Sequence, residues 1–218
     1  MDKKIISVEE AVAHVKDGMT VMVGGFLAVG SAHKILEALA KSNVKNLTVI
    51  CNDTGTPEKG VGLLFANKQI KKMIVSYIGG NPLSIEQLNT KELEVEFVPQ
   101  GTLAERVRCG GAGLGGVLTP TGIGTIVEEG KQKLTVDGKE YLLETALHAD
   151  VAILGASVAD KAGNLYHKGT TQNFNPIMAT AADLVIAEVE ELVETGEIPM
   201  ENVHTPALYV DYMVAGRI

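Results

Sequence analysis

The sequence has few of the residues that a disulfide framework or a metal centre needs. Its two cysteines, Cys51 and Cys109, lie far apart in unlike settings, so a disulfide framework is not expected. No histidine pair has the His-x-x-x-His spacing of a metal-binding helix, and no Cys-x-x-Cys occurs. The five histidines are His14, His33, His148, His167 and His204. We therefore expect no metal site in this chain.

Basic residues and long apolar runs are also scarce. The 19 Lys and Arg side chains are outnumbered by 27 Asp and Glu, which gives a formal net charge of −8. Such a surface repels polyanions, so nucleic acid is not an expected partner. No apolar run approaches the roughly 20 residues that span a bilayer, and the first residues lack the pattern of a secretory signal. We expect a soluble, cytoplasmic protein without a membrane partner.

Glycine, in contrast, is abundant and clustered. The chain has 24 glycines among 218 residues, about 11%, against roughly 7% in an average protein. They occur between apolar segments, in VGGFLAVG, TGTPEKGVG, IGGN, CGGAGLGG and PTGIG. An α/β protein places its ligand-facing turns at such positions.

The apolar pattern predicts alternating helices and strands. Ser7 and Glu10 have capping-box spacing, which predicts a helix from about Ser7 to Lys16. Ser84 and Gln87 have the same spacing before a second short helix. Buried strands are predicted for MTVMV, LTVIC, MIVSYI, VAILGA and LVIAEV, and LEVEFV alternates as a strand with one polar edge or face should.

The remaining segments predict turns and one insertion. Asp137-Gly138 lies between two β-prone runs and predicts a tight hairpin, while Asn175-Pro176 predicts the N-cap and first turn of a helix. A short helical stretch, LAERVR, precedes a glycine loop from Gly110 to Gly116 with little regular structure. We predict one α/β domain over residues 1–218, with a mostly parallel sheet flanked by helices and an inserted β-hairpin.

Two segments could bind a ligand through polar groups. The loop that ends in VGGFLAVG could hold an anion on its backbone amides, but tight packing between strand and helix needs the same small residues, and spacing alone favours packing. Gln100 lies between a strand end and a glycine, ahead of a helix. Its amide could donate to a carboxylate or an oxyanion, or it could cap the helix, and spacing favours neither. For Glu105, Arg106 and Arg108 a solvated helix face is the favoured interpretation.

The segment HKGTTQNFNP collects several polar groups around one aromatic residue. Asn173 and Asn175 could bind a ligand or hold the turn, and the second role is favoured. His167 could titrate near neutrality, but no nucleophile or carboxylate is its neighbour in sequence. We do not nominate it as a catalytic base.

Taken together, these motifs resemble the A subunits of the family I (3-oxoacid) CoA-transferases, the acetate, butyrate and acetoacetate enzymes of bacteria. DGMTVMVGGFLAVG is similar to the family's A-subunit signature, and NDTG, PQGTLAERVRCGGAGLGG, TPTGIGT, EYLLE and GTTQNFNP follow it in order. One departure is that the signature commonly ends in Gly-x-Pro, where this chain has Gly30, Ser31 and Ala32. The loss of proline should change the rigidity of the loop rather than its chemistry.

The resemblance implies a ping-pong transfer of CoA between short carboxylic acids through a glutamyl-CoA thioester, on a sugar-phosphate isomerase-like architecture. In the family the glutamate belongs to the B subunit, and neither Glu194-Thr195-Gly196 nor Glu201-Asn202-Val203 supplies the expected motif here. CoA would be a substrate, with no permanently bound cofactor. The expected partner is a B subunit in an α2β2 heterotetramer, and the preferred acids stay open.

The same resemblance gives roles to individual residues. Gln100 would donate a hydrogen bond to the acyl carbonyl oxygen, and the loop from Gly110 to Gly116 would approach the partner. The other residues expected to contact substrate are Gly24, Gly25, Phe26, Asn52, Gly110 and Gly111.

Two other functions would fit an α/β chain with glycine-rich turns. A self-sufficient sugar-phosphate isomerase would be active alone and would need basic residues in its loops, where His33 and Lys34 occur with few other cations. A non-catalytic regulator that binds CoA or an acyl group would be a stable monomer or homodimer without a catalytic partner.

Overall fold

The computed structural model describes residues 4–216 and contains two sheets. The strands are β1 (Lys4–Ile5), β2 (Thr20–Val23), β3 (Leu47–Asp53), β4 (Ile70–Tyr77), β5 (Glu94–Phe97), β6 (Gly116–Thr119), β7 (Lys133–Val136), β8 (Lys139–Thr145), β9 (Ala149–Asp160), β10 (Leu165–Tyr166), β11 (Ala182–Val193) and β12 (Tyr212–Ala215). The helices are α1 (Val8–Ala13), α2 (His33–Lys41), α3 (Leu63–Ala66), α4 (Pro82–Asn89), α5 (Gln100–Gly111) and α6 (Asn175–Ala179).

The larger sheet is parallel apart from one short strand. Its order is β1-β12-β11-β9-β2-β3-β4-β5, and β10 pairs antiparallel with β9. From β2 the chain continues through α2 to β3 on one side, whereas from β9 it continues through α6 to β11 on the other. Ligands of such sheets bind outside the carboxyl ends of the strands, near the point where the connections diverge.

Helices cover both faces of this sheet, as the near-continuous apolar strands require. In β2, Val21 and Val23 face a core formed with α1, α2 and α3. Met22, which lies between them, faces the opposite core under α5 and α6. The predicted fold class is therefore confirmed. No helix within residues 4–216 is long and apolar enough to span a membrane.

The predicted hairpin is confirmed and belongs to a three-stranded antiparallel sheet. Asp137 and Gly138 have φ angles of 49° and 75°, and positive φ at both positions is the mark of a two-residue type I′ turn. They join β7 to β8, and β6 pairs with the other edge of β8. The sequence pattern missed β6, because this strand is only four residues long and begins with Gly116, at the end of a glycine-rich segment.

Helix starts were predicted with mixed success. At α1 both capping-box bonds form, since Ser7 Oγ accepts from Glu10 N and Ser7 N donates to Glu10 Oε2. This helix ends at Ala13, short of the predicted Lys16. The second capping box was wrong, because Asn81 caps α4 and Ser84 is buried within it, where its hydroxyl donates to the Asn81 carbonyl oxygen at 2.7 Å.

The predicted loop from Gly110 to Gly116 was also wrong in its first and last residues. Gly110 and Gly111 form the end of α5, and Gly116 begins β6. A Cβ atom at Gly110 would overlap the Leu147 carbonyl oxygen, and one at Gly111 would overlap the Thr180 hydroxyl. These glycines let the end of α5 pack closely against other segments of the same chain.

Helix α2 receives its cap from a distant strand. Its N-cap is Ala32, the residue that stands in place of the signature proline, and no N-cap side chain bonds to it. The Glu188 carboxylate of β11 accepts instead from Lys34 N at 3.1 Å and Ile35 N at 2.9 Å. This carboxylate satisfies amides that a helix start leaves without intrahelical partners.

The solvated helix face predicted for α5 was correct for two residues and wrong for the third. Glu105 and Arg108 are exposed and pair with each other at 3.2 Å. Arg106 is only 5% exposed. Its Nη1 donates to Glu96 Oε1 at 2.6 Å and its Nε donates to the Thr145 carbonyl oxygen at 2.7 Å.

This arginine belongs to a buried ionic network that joins α5, β5 and the small sheet. Glu144 is 1% exposed, accepts from Lys131 Nζ at 2.6 Å, and lies 3.9 Å from Arg106 Nη1. Burial alone would raise the pKa of Glu96, but the hydrogen bonds and positive charges of Arg106 and Lys72 outweigh it, so the pKa is lowered.

Candidate active site

The glycine loop after β2 forms a short, strained hairpin. Phe26 and Val29 exchange two backbone hydrogen bonds at 3.0 and 2.9 Å. The two residues between them, Leu27 and Ala28, have φ angles of 46° and 67°, which non-glycine residues rarely adopt. We call residues 26–29 the glycine-loop hairpin. Three of its side chains, those of Phe26, Leu27 and Val29, are between 42% and 50% exposed.

Two asparagines from the HKGTTQNFNP segment hold this loop. Asn173 Oδ1 accepts from Gly25 N at 3.1 Å, and its Nδ2 donates to the Val29 carbonyl oxygen at 3.0 Å. Asn175 Oδ1 accepts from Gly155 N at 3.1 Å, and its Nδ2 donates to the Gly30 carbonyl oxygen at 3.0 Å. Both residues therefore bond backbone groups, as the sequence favoured.

The position of Asn175 also corrects the predicted helix start. Asn175 is the first residue of α6 and Phe174 is its N-cap, so the N-cap lies one residue earlier than Asn175-Pro176 predicted. Asn175 makes no capping bond to its own helix, because its Oδ1 accepts from Gly155 N in β9.

Changing Gly24 to alanine is expected to destabilise the chain by about 1–3 kcal/mol, because an added methyl group in a packed site must displace its neighbours. A Cβ atom at Gly24 would overlap Asn175 Oδ1, which would break the bond to Gly155. Urea unfolding of the chain measures the effect. The matched control is Gly115→Ala, since a Cβ atom there meets nothing within 4 Å; equal losses in both variants would contradict the steric argument.

Gln100 lies at the carboxyl edge of the sheet, at the start of α5. Its side chain does not cap the helix, so the capping interpretation is wrong. Its Nε2 donates to Asn52 Oδ1 at 2.7 Å. An amide nitrogen carries two hydrogens, and because Gln100 is exposed, the second can reach a ligand at the surface.

Asn52, at the end of β3, is buried beneath Gln100 and is only 2% exposed. Its Oδ1 also accepts from Ser76 Oγ at 3.1 Å, and its Nδ2 donates to Asp53 Oδ2 at 2.7 Å. In this structure Asn52 supports the Gln100 amide. Its predicted contact with substrate stays a prediction.

Asp53 connects this amide pair to the glycine-loop hairpin, and sequence reasoning missed it. Its Oδ2 accepts from Leu27 N at 2.9 Å, and its Oδ1 accepts from Gly55 N at 2.8 Å. The residue is 6% exposed. The available signal was an acidic residue at the end of a buried strand, in NDTG, next to a glycine whose amide it could accept.

The structure thus gathers five of the seven predicted site residues at one edge, namely Gly24, Gly25, Phe26, Asn52 and Gln100. Gly110 and Gly111 lie at the opposite end of α5 from Gln100, about 15 Å along the helix axis. Their predicted contact with substrate or with a partner is not addressed by this arrangement.

Two further titratable groups, Cys51 and His167, are held neutral by burial. Burial, and then the negative charge of Asp53, raises the pKa of the Cys51 thiol well above its ordinary value, so it is not a thiolate nucleophile. Burial, and then the charge of His204, lowers the pKa of His167 to about 4. Within residues 4–216 no group of three or more His, Cys, Asp or Glu side chains could hold a metal.

These features define an α/β protein with a polar donor site at the carboxyl edge of a parallel sheet. The coenzyme A transferase family matches residues 5–216, and the chain belongs to this family. It is a subunit of an enzyme, as the resemblance predicted.

Two relatives are similar over nearly their full length. The alpha subunit of acetoacetyl-CoA:acetate/butyrate CoA transferase from Clostridium acetobutylicum is 52% identical, covering 98% of both chains. The alpha subunit of acetate CoA-transferase from Escherichia coli is 47% identical, covering 100% of this chain and 99% of the relative.

Two solved structures share the fold at low identity. An acyl-CoA transferase from Escherichia coli, crystallised as a thioester complex with CoA, has a TM-score of 0.89 at 22% identity over 98% of this chain. This chain spans 47% of that longer chain. Glutaconate coenzyme A-transferase from Acidaminococcus fermentans has a TM-score of 0.86 at 18% identity, covering 97% of this chain and 75% of that one.

Proposed function

We propose that this chain is the alpha subunit of a short-chain acyl-CoA:carboxylate CoA-transferase of the acetate, butyrate and acetoacetate type. The observation that carries the proposal is a hydrogen-bond donor, the Gln100 amide, held at the carboxyl edge of the sheet by its bond to the buried Asn52. The neighbouring acid, Asp53, is buried and accepts three hydrogen bonds. The nucleophilic glutamate then comes from a separate B subunit.

The residues around the donor are suited to being covered by another protein. Five large apolar side chains at this edge are exposed although the sheet beneath them is well packed, and exposed apolar clusters of this kind mark interaction sites. They are Phe26, Leu27, Val29, Tyr77 and Phe97. The proposed assembly places the B subunit against this edge, in an α2β2 heterotetramer.

In the proposed reaction the partner's glutamate attacks the carbonyl carbon of the acyl-CoA, and the oxygen of that carbonyl becomes negatively charged. The free N–H of Gln100 donates to this oxygen, and the start of α5 adds a favourable dipole. When the intermediate collapses, the C–S bond breaks and CoA leaves as a thiolate. The thiolate then attacks the glutamyl carbonyl of the anhydride, releasing the first acid, and an acceptor carboxylate later reverses these steps.

The proposal is tested by CoA exchange from acetoacetyl-CoA or butyryl-CoA to acetate, with this chain alone and with its B subunit. Activity is expected only in the mixture, because each chain supplies half of the site. Activity of the isolated chain would contradict the split site and would favour a self-sufficient enzyme. An inactive mixture of chains that associate would favour a CoA-binding or acyl-binding regulator.

The finer statements of the proposal follow from the same assignment. CoA is a substrate rather than a resident cofactor, and the enzyme works in the cytoplasm. Light scattering of the mixed subunits tests the stoichiometry, with the mass of two alpha and two beta chains as the expected result. A 1:1 complex of half that mass would overturn the tetramer without affecting the assignment of activity.

A further inference from the structure

The bonds between Asp53, Asn52 and Gln100 run in one direction. An ionised carboxylate only accepts hydrogen bonds, so Asn52 must turn its nitrogen toward Asp53, as the 2.7 Å contact shows. The Asn52 oxygen then faces Gln100, which must present its nitrogen. The buried carboxylate of Asp53 thereby makes Gln100 a hydrogen-bond donor toward Asn52. The second N–H of the same Gln100 amide then faces the surface.

A side-chain amide can rotate by half a turn, which exchanges its oxygen and nitrogen without changing its shape. The orientation of the Gln100 amide therefore depends on its hydrogen-bond partner. If Asn52 were reversed, its nitrogen would face Gln100, and Gln100 would turn its oxygen inward. Ser76 opposes this reversal weakly, because its single hydroxyl hydrogen has a closer acceptor in the Asn52 carbonyl oxygen, at 2.6 Å, than in Asn52 Oδ1, at 3.1 Å. Asp53 is the group that excludes the reversed arrangement.

We propose that Asp53 is a positioning residue that orients the Gln100 amide as a hydrogen-bond donor by fixing the Asn52 amide between them. The inference rests on the proposed function, in which Gln100 donates to the acyl oxygen. Asp53 itself touches no substrate in this scheme. Through Leu27 N it also ties the orientation of Gln100 to the glycine-loop hairpin.

The first test is a double-mutant cycle on the assembled enzyme with the B subunit. In Asp53→Asn the new side chain has one oxygen where the carboxylate had two. When that oxygen accepts from Gly55, the nitrogen takes the Oδ2 position, faces Asn52 and favours the reversed arrangement. We expect kcat for CoA exchange to fall about tenfold, part of the 10²–10³-fold cost of losing an oxyanion donor, with KM little changed. In a Gln100→Ala background the same change should cost less than about twofold, since coupled residues are not additive.

A second variant separates the direction of the hydrogen bond between position 52 and Gln100 from any effect on folding. Asn52→Asp combined with Asp53→Asn moves the carboxylate one residue along, so position 52 again offers an acceptor to Gln100. Asp53→Asn is common to the single and the double variant, and each has one side-chain oxygen at position 53 for the amides of Leu27 and Gly55. The two variants therefore differ in sequence only at position 52. We expect kcat of the double variant to exceed that of Asp53→Asn by about fivefold, within the range of one re-formed charge-assisted bond.

Asp150→Asn is the matched control, because Asp150 also accepts a backbone amide, that of Thr20, but at the amino end of β2. It should leave kcat unchanged. An equal loss from Asp53→Asn in both backgrounds, or a double variant no better than Asp53→Asn, would overturn the positioning role while leaving Gln100 as the donor. An unchanged kcat in Gln100→Ala would remove the donor role and the positioning role together.

Discussion

Replacing Gln100 with alanine is expected to lower kcat of the assembled transferase by about 10²–10³-fold, the usual cost of removing one oxyanion donor. The Gln100 amide can bond the acyl oxygen in the bound thioester, but the bond strengthens when that oxygen becomes charged. The loss should therefore appear in kcat more than in KM. The fold should survive, because the side chain is exposed and its hydrogen bond is to the Asn52 side chain.

Steady-state CoA exchange of the variant with its B subunit measures this effect, and size-exclusion chromatography checks that the subunits still associate. Gln132→Ala provides a control, since Gln132 is an exposed glutamine before β7 in the small sheet. If the assembled Gln100→Ala enzyme turned over at the unmodified rate, Gln100 would have only a structural role.

Replacing Arg106 with alanine is expected to destabilise the chain by about 3–5 kcal/mol, the range seen when one partner of a buried ion pair is removed. The change leaves the buried Glu144 with Lys131 alone, and it removes the donor to the Thr145 carbonyl oxygen. It also leaves Glu96 with Lys72 as its remaining ion-pair partner, so β5 and the small sheet lose the cation that joins them.

Urea unfolding of the isolated chain gives the free energy of unfolding. Arg108→Ala is the control on the same helix, because Arg108 is exposed, and surface changes are usually within about 0.5 kcal/mol. Similar losses for the two variants would show that burial of Arg106 contributes nothing to stability.

The same comparison has a pH dependence with a defined sign. The folded-state pKa of Glu96 lies below its ordinary value, so its ion pair adds stability above that ordinary value and loses it as the pH falls through the lowered pKa. The gap between the unmodified chain and Arg106→Ala should therefore narrow in acid, below the ordinary pKa of 4.5. A gap that stayed constant down to the acid unfolding transition would exclude Glu96 as the titrating group.

Much of the fold could be predicted because buried parallel strands produce short apolar runs that few other structures produce. All six predicted strands form. The Asp137-Gly138 turn also forms as predicted, because these two residues readily adopt the positive φ angles that a type I′ turn requires. The errors fell where tertiary contacts decide. The end of α5 depends on Leu147 and Thr180 lying close to Gly110 and Gly111, which no local pattern reveals.

The sequence predicted which segments form the site, but it did not predict the hydrogen bonds and ion pairs that join them. Gln100 and the glycine loop stand at strand ends, where ligand groups are expected. Arg106 and Asp53 were misread or missed because a charged residue shows its burial only when the partners from other segments are known. Glycine clusters were ambiguous for the same reason, since loop flexibility and close helix packing use the same residue.

The cap of α2 has a consequence for how the chain matures during synthesis. The backbone amides of Lys34 and Ile35 bond the Glu188 carboxylate, which is synthesised about 150 residues later. Strand β9, which pairs with β2 on the side opposite β3, is also synthesised more than a hundred residues later. A nascent chain that contains only its first half therefore exposes one edge of β2 and the uncapped start of α2. These two features can be covered only after β9 and β11 have been synthesised.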